Sequence, residues 1–410
     1  MARLGHRSHG SRFIRRNRVW WFFFGHRDLL SQHTTYAAGK GDRLMTGTYL
    51  RTLSIFGALA LAIFSTPATA QLPSDHSRIF APYQDMSLTG MSADVIQNDL
   101  PAVSAASGIK HFTMAFISSA GNACKPQWGG VGPIADDSTF TKLIKELRER
   151  GGDVIISFGG FTADTTVADG GGPDFELGYG GGCTTVEQLQ AAYQAVIDKY
   201  SVDRNHPVAL DFDIESDAIN SPVLNGVNTV DLRNQALARL AKANPGLQIS
   251  FTVPCAESGL IQPEMDLVES VVERKVPVAI LNPLPFDFGS PIAAGQYGNV
   301  VTAAATDVLS QMKSLGLKAG LGITVLIGTN DESDETFLLE DAKVVEAFAE
   351  KERSVQRLSF WEASRDNGSC DDDPNLLDDN NCSSITQGNW SFSHIFEPFE
   401  PFERTDRDPE

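Results

Sequence analysis

The sequence predicts an α/β protein built as a single (β/α)8 TIM barrel without a large inserted domain. Three observations carry this. Eight short apolar runs recur from residue 78 onward, segments with helical periodicity separate them, and each unit runs about 30–45 residues. The count of eight favours a barrel, and no dinucleotide-binding fingerprint argues for an open doubly wound sheet.

The elements follow in order. "RIFAPYQ" (78–84) and "IKHFTMAFIS" (109–118) read as the first two strands. Phe140, Leu143, Ile144 and Leu147 then take the i, i+3, i+4, i+7 spacing of a helix. "DVIISFGG" (153–160) is a third strand, and the Gly-rich stretch 168–183 reads as a flexible connection or a cleft wall. Thr185 and Gln188 form a capping-box pair opening a helix whose stripe is Leu189, Tyr193, Val196, Ile197 and Tyr200. "PVALDFDIE" (207–215) is the fourth strand, and a helix over 229–244 stops at Asn244-Pro245-Gly246. "LQISFTVP" (247–254), "VPVAILNPL" (276–284) and "LKAGLGITVL" (317–326) supply three more strands with helices between them. A helix over 336–350 and the strand "QRLSFW" (356–361) complete the series, and residues 397–410 read as an acidic disordered tail.

Charge narrows the partners. The formal net charge is −19, yet residues 1–70 hold ten Lys/Arg and only two Asp, so the remainder carries 23 basic and 50 acidic residues. Such a surface repels nucleic acid and anionic lipid and leaves neutral small molecules or polysaccharides as natural partners. Residues 1–70 read as an N-terminal extension and an export signal. Arg51 precedes the apolar run "LSIFGALALAIF" (53–64), and Ala68-Thr69-Ala70 fits small-x-small cleavage after Ala70. The run is too short to span a bilayer comfortably, so the expectation is a secreted, monomeric protein. Export permits disulfides, with Cys370–Cys382 and Cys124–Cys183 as candidate pairs and Cys255 as a free buried thiol. Asn367, Asn381 and Asn389 are sequons, with Asn381 the poorest acceptor if Cys382 is bridged.

The fourth strand carries the chemistry. Side chains two apart on a strand share a face, so Asp211, Asp213 and Glu215 point one way while Val208, Leu210, Phe212 and Ile214 point the other. A barrel turns the apolar face to the helices and the carboxylates inward. Burying three carboxylates in a row is expensive unless they are hydrogen-bonded or share protons. The alternation therefore reads as a proton relay ending in an acid, Glu215, near the mouth. No histidine lies nearby in sequence, so neither a metal nor a cofactor is expected.

"LDFDIE" (210–215) resembles the acidic motif of glycoside hydrolase family 18, the chitinases and related endo-β-N-acetylglucosaminidases. "ISFGG" (156–160), "LNPLPFDFG" (281–289) and "LSFWEASRDN" (358–367) resemble the family's segments on strands three, six and eight, in order, over residues 78–396. The resemblance implies a substrate-assisted retaining hydrolase of chitin or N-acetylglucosamine oligosaccharides. Glu215 would be the acid, Asp213 would orient the substrate's acetamido group, and Asp211 would hold or share the proton beside Ser157. Asp287 would bond the substrate and Trp361 would form the floor of the site. Tyr83 and Trp128 are further candidates for sugar stacking or pocket lining. Two positions depart from the family pattern. Val208 stands where a further aspartate is expected, and Phe286 where many members have a tyrosine hydroxyl that Asn282 or Tyr297 would have to replace. The alternatives are an endo-β-N-acetylglucosaminidase acting on N-glycans, and a non-catalytic chitin-binding lectin or inhibitor on the same scaffold.

Overall fold

Each of the eight expected strands forms, and a helix follows each one. The computed structural model describes residues 78–88, 99–121, 123–165, 174–332, 334–370 and 380–400. The proposed signal segment and residues 401–410 lie outside these. Strand β1 is interrupted at Ala81-Pro82 into Ile79–Phe80 and Tyr83–Asp85. Then come β2 (His111–Ala120), β3 (Asp153–Gly159), β4 (Ala209–Asp213), β5 (Ile249–Pro254), β6 (Val278–Leu284), β7 (Gly320–Leu326) and β8 (Val355–Trp361). The helices are α1 (Leu100–Ser107), α2 (Thr139–Glu149), α3 (Val186–Tyr200), α4 (Thr229–Ala243), α5 (Gln262–Arg274), α6 (Tyr297–Leu315), α7 (Leu339–Lys351) and α8 (Ser391–Phe396).

Strands β2 to β8 pair in parallel in chain order. The first half of β1 pairs with β8 and the second half with β2, so one split strand serves both ends of the series. This is the βα alternation of a TIM barrel. The connection from β7 to α7 spans only residues 327–338, too short for an inserted domain.

Burial follows the predicted alternation. Val208, Leu210, Phe212 and Ile214 lie in the main apolar core between strands and helices. Phe212 stacks on Phe158 at 5.0 Å between ring centroids and meets Tyr193 of α3 edge-on. Asp211 and Asp213 occupy the opposite face, also buried. Below them Ile79, Ala81, Ile155 and Ala209 form a small separate apolar cluster inside the barrel. Helix ends use local chemistry. The Thr185 side chain accepts from the Gln188 backbone, but Gln188 Oε1 reaches Thr184 rather than Thr185, so only half of the expected capping box forms. Asn244 closes α4 as anticipated.

Three expectations change. Residues 174–183 of the Gly-rich stretch are packed down rather than forming a loose connection. Cys183 bonds Cys124, and the buried Glu176 pairs with the equally buried Arg233 of α4 at 3.2 Å. The packed part of the domain also runs past residue 396. Glu397–Phe399 form a 3-10 turn, and Glu400 accepts from the Phe80 backbone and lies 3.0 Å from His111 Nδ1. Finally, Asn367 is a poor glycan acceptor, because its amide nitrogen donates to the Ser364 and Asn381 carbonyls. Cys370 and Cys382 pair, and Cys255 is free and buried.

Phe212→Ala should lower unfolding free energy by about 3–5 kcal/mol, the usual cost of emptying an aromatic site in a strand-helix core. Urea unfolding checks this, and a loss below about 1 kcal/mol would contradict the packing of β4 against α3.

Candidate active site

A cleft of about 610 Å³ opens at the C-terminal ends of the strands, the end at which barrels carry their chemistry. Its lining draws one contribution after another from the strand ends: Asp85, Phe116, Gly159, Asp213 and Glu215, Pro254, Phe286 and Asp287, Thr324 and Trp361. Among the lining residues the charged side chains are all carboxylates.

Asp211 lies deepest, with no exposed surface. Tyr83 donates to its Oδ2 at 2.9 Å, Ser157 to the same oxygen at 2.8 Å, and Thr252 lies 3.1 Å from both oxygens. Ser250 makes a short contact to Oδ1, and Arg357 reaches that oxygen at 3.3 Å. Side chains from β1, β3, β5 and β8 thus converge on one carboxylate of β4. Such a shell offsets the desolvation of a buried charge.

Asp213 stands one step nearer the mouth, 4% exposed, and its Oδ1 has no hydrogen-bond partner among the described residues. Burial, reinforced by the charges of Glu215, Asp211 and Asp164, pushes its carboxyl well above the usual carboxylate range. Glu215 is half-buried at the mouth, and its acid is pushed up to about 7. Burial is the main cause and the charge of Asp287 adds to it, while a hydrogen bond from the Phe161 backbone N–H opposes. A buried carboxyl that still holds its proton near neutrality is suited to general acid chemistry. The series therefore presents a proton donor to the cleft and an unpartnered carboxyl oxygen behind it.

The backbone brings these groups close. Gly159 has φ +93° and Gly160 φ +84°, and a Cβ on Gly159 would run into the Asp213 carbonyl oxygen. That oxygen accepts from the Gly160 N–H at 3.0 Å. Asp164, buried on the turn after β3, accepts the Glu215 backbone N–H at 2.8 Å and so fixes where the acid leaves its strand.

The remaining candidates divide. Asp287 lines the cleft with φ +51°. Trp361 lines it too, its ring stacked on Phe116 at 5.7 Å, with Tyr83 at 5.8 Å. Phe286 is half-buried in the wall. Tyr83 touches the cleft, but it is 1% exposed and its hydroxyl is turned to Asp211, so it offers no stacking face. Asn282 lies below the cleft, where its amide nitrogen donates to Thr252 and Thr324. Tyr297 gives its hydroxyl to a cluster with Asn330 and Glu335, so neither residue supplies the hydroxyl absent at Phe286. Trp128 is a correction. It is 1% exposed, its indole N–H donates to Tyr200 at 2.7 Å, and Phe140 and Tyr200 meet it edge-on, which makes it a core residue.

Sequence reading missed Arg357, Ser250, Thr252, Asp164 and Glu362. The first three were within reach of the same alternation rule, since Arg357 shares a face of β8 with Trp361, and Ser250 and Thr252 share one of β5. Glu362, fully buried, accepts the Asp85 N–H at 2.6 Å and ties the end of β8 to β1. Exposed Phe161 adds an aromatic to the cleft rim. Among the described residues no group of three His, Cys, Asp or Glu is arranged to hold a metal ion. No helix there is long and apolar enough to cross a membrane.

No family model matches the chain. An Escherichia coli (strain K12) protein described as "Probable bifunctional chitinase/lysozyme" is 28% identical over 347 residues, covering 78% of this chain and 34% of that protein. "Endochitinase 11" of Metarhizium anisopliae is 27% identical over 308 residues, 70% of this chain and 52% of its own length. The chain thus spans about a third and about half of these two relatives. Among solved structures, catalytic-site mutants of active domain 2 of a Pyrococcus furiosus chitinase complexed with chito-oligosaccharides are 27% identical. They cover 79% of this chain and 96% of theirs, with a TM-score of 0.63. By these likenesses the chain is chitinase-like, in line with the resemblance of its strand segments noted above.

Glu215 provides a test of the site's electrostatics. Its folded value of about 7 exceeds the ordinary 4.5, so folding takes up a proton between those values. The stability it contributes is complete below about pH 4.5 and is lost as pH rises through about 7. Glu215→Gln removes that loss, so its melting temperature relative to the parent should climb between pH 5 and pH 8. A difference that stays flat, or falls, would contradict the raised acid.

Proposed function

We propose that this chitinase-like chain is an exported retaining glycoside hydrolase that cuts β-1,4 links between N-acetylglucosamine units by substrate assistance. The observation carrying this reading is the inward series Asp211, Asp213 and Glu215, with a neutral acid at the cleft and a buried carboxyl behind it.

Glu215 gives its proton to the glycosidic oxygen as the bond to the anomeric carbon breaks, and the leaving sugar departs as an alcohol. The acetamido carbonyl oxygen of the sugar that keeps the anomeric carbon attacks that carbon from the opposite face and closes an oxazolinium ring. Asp213 turns its unpartnered oxygen to accept from the acetamido N–H and so orients that group for the attack. Water then attacks the anomeric carbon and gives a proton to Glu215, now a base, as the ring opens. Two inversions leave the configuration retained. Asp211 stays fixed beneath in its shell of donors, Asp287 bonds the sugar, and Trp361, backed by Phe116, is the floor. Phe286 supplies no hydroxyl to the acetamido group, so one transition-state donor is missing.

The short connection after β7 carries no inserted domain, which favours internal cuts over end trimming. The two disulfides support passage through an oxidising compartment. All three carboxylates are present, which weighs against a purely binding lectin.

Assays on chitin oligomers and on an N-glycoprotein test the reading. The parent should cleave the oligomers with retention, and Glu215→Gln should lose about 10²–10⁴-fold in kcat while still binding them. In the parent, kcat/KM should fall above about pH 7 as the acid deprotonates. Release of N-glycan without oligomer cleavage would replace chitin as substrate, and oligomer binding by an inactive parent would sink the enzyme. Phe286→Tyr should raise kcat severalfold if the missing hydroxyl limits the chemical step. An unchanged kcat would remove that position from the account.

A further inference from the structure

Beneath the carboxylate series lies a cation that the hydrolysis steps leave unused. Arg357 sits on β8, 4% exposed, inside the barrel. Its Nη1 lies 3.3 Å from Asp211 Oδ1 and 3.1 Å from Ser250 Oγ, and its Nε has no partner among the described residues. Burying a guanidinium costs several kcal/mol unless its charge is used. No arginine is needed to hold the strands together, since the ladder from β7 to β8 is made by the backbone. The charge does have a use just above it. Three carboxyl groups rise in sequence from Asp211, two of them already burdened by burial and by neighbouring carboxyl groups.

We propose that Arg357 is a positioning residue of the hydrolysis site. It anchors the Asp211 carboxylate at the foot of the series and lowers the cost of ionising the carboxyl groups above it. It touches neither the cleft nor a substrate there, and it acts through Asp211. The groups facing it are few. Asp211 comes from β4 and the Tyr83 hydroxyl from β1, where the positive charge of Arg357 is felt. Ser250 comes from β5. On its other side is a cavity of about 510 Å³ at the N-terminal ends of the strands, lined also by Lys318 and Arg353 and by no carboxylate. Asp211 is therefore the anion that Arg357 serves. The cavity also gives a small cation a route to the place where the guanidinium sits.

The role rests on the hydrolysis proposed above, and the experiment separates the two. Arg357→Met and the neutral polar Arg357→Gln are made in the full chain and checked for folding by circular dichroism. Each should lower kcat on chitin oligomers about tenfold to a hundredfold with KM within about twofold. Removing a positive charge makes protons bind more readily to the carboxyl groups, so both limbs of the pH profile should move to higher pH. Arg357→Lys should keep most of the activity and the parent profile. Guanidinium ion at tens of millimolar should restore part of the kcat of Arg357→Ala and leave the parent unaffected. In an Asp211→Asn background Arg357→Met should have little further effect. A neutral variant with the parent's kcat and pH profile would overturn the role, as would losses at Arg357 and Asp211 that multiply independently. A parent inactive on every substrate would overturn the hydrolysis itself, and this role with it.

Discussion

The structure is organised around keeping negative charge inside a barrel. Carboxylates in so dry a place are costly, and everything near β4 addresses that cost. Asp211 is held by hydroxyls from three other strands and by a guanidinium from a fourth. Asp213 has no such support, and burial pushes its carboxyl well above the usual carboxylate range. Glu215, at the edge of water, is poised between. The three carboxyls differ in their surroundings because of the differing support each receives, since their chemistry is nearly the same.

The outer shell repeats the pattern at a distance from the cleft. Glu176 is fully buried and accepts from Arg233, from Tyr193 and from the Gly178 and Tyr179 backbone. Asp164 feels both Glu176 and Arg233 while it grips the Glu215 backbone. The acid's position is therefore set by a turn after β3 and helix α4 together. The disulfide from Cys124 to Cys183 holds the stretch containing Glu176 against the start of the sheet's extension.

Much of this was legible before any coordinates. Strand positions follow from apolar runs bounded by turn residues, and period-two alternation put Asp211 and Asp213 on one face of β4, with Glu215 two residues beyond its end at the cleft. Local rules failed where the deciding contact lies far along the chain. Trp128 sits in a loop-like run of Gly and Pro, and nothing nearby announces Tyr200, 72 residues later, as the partner that takes it into the core. Asn282 is beside the strand-six motif in sequence but faces Thr252 and Thr324 below the cleft. Glu176 looked like one more acid in a flexible stretch until Arg233 came round from α4. Helices α1 and α8, of eight and six residues, are too short for an apolar stripe to stand out. Arg357 was readable by the same alternation as the acids, but a lone cation in a short strand carries no sign of what it faces.

Glu400 has a consequence of another kind. Its carboxylate accepts from the Phe80 backbone and meets His111, so the last described turn is fastened to the first strand. The entry and exit of the folded unit therefore emerge side by side on the floor of the barrel, away from the cleft. A unit whose two ends share one doorway can be spliced into a larger polypeptide, or carry neighbours on either side, without bending its own frame. Modular rearrangement would then add or remove whole companions while leaving the chemistry at the far end untouched.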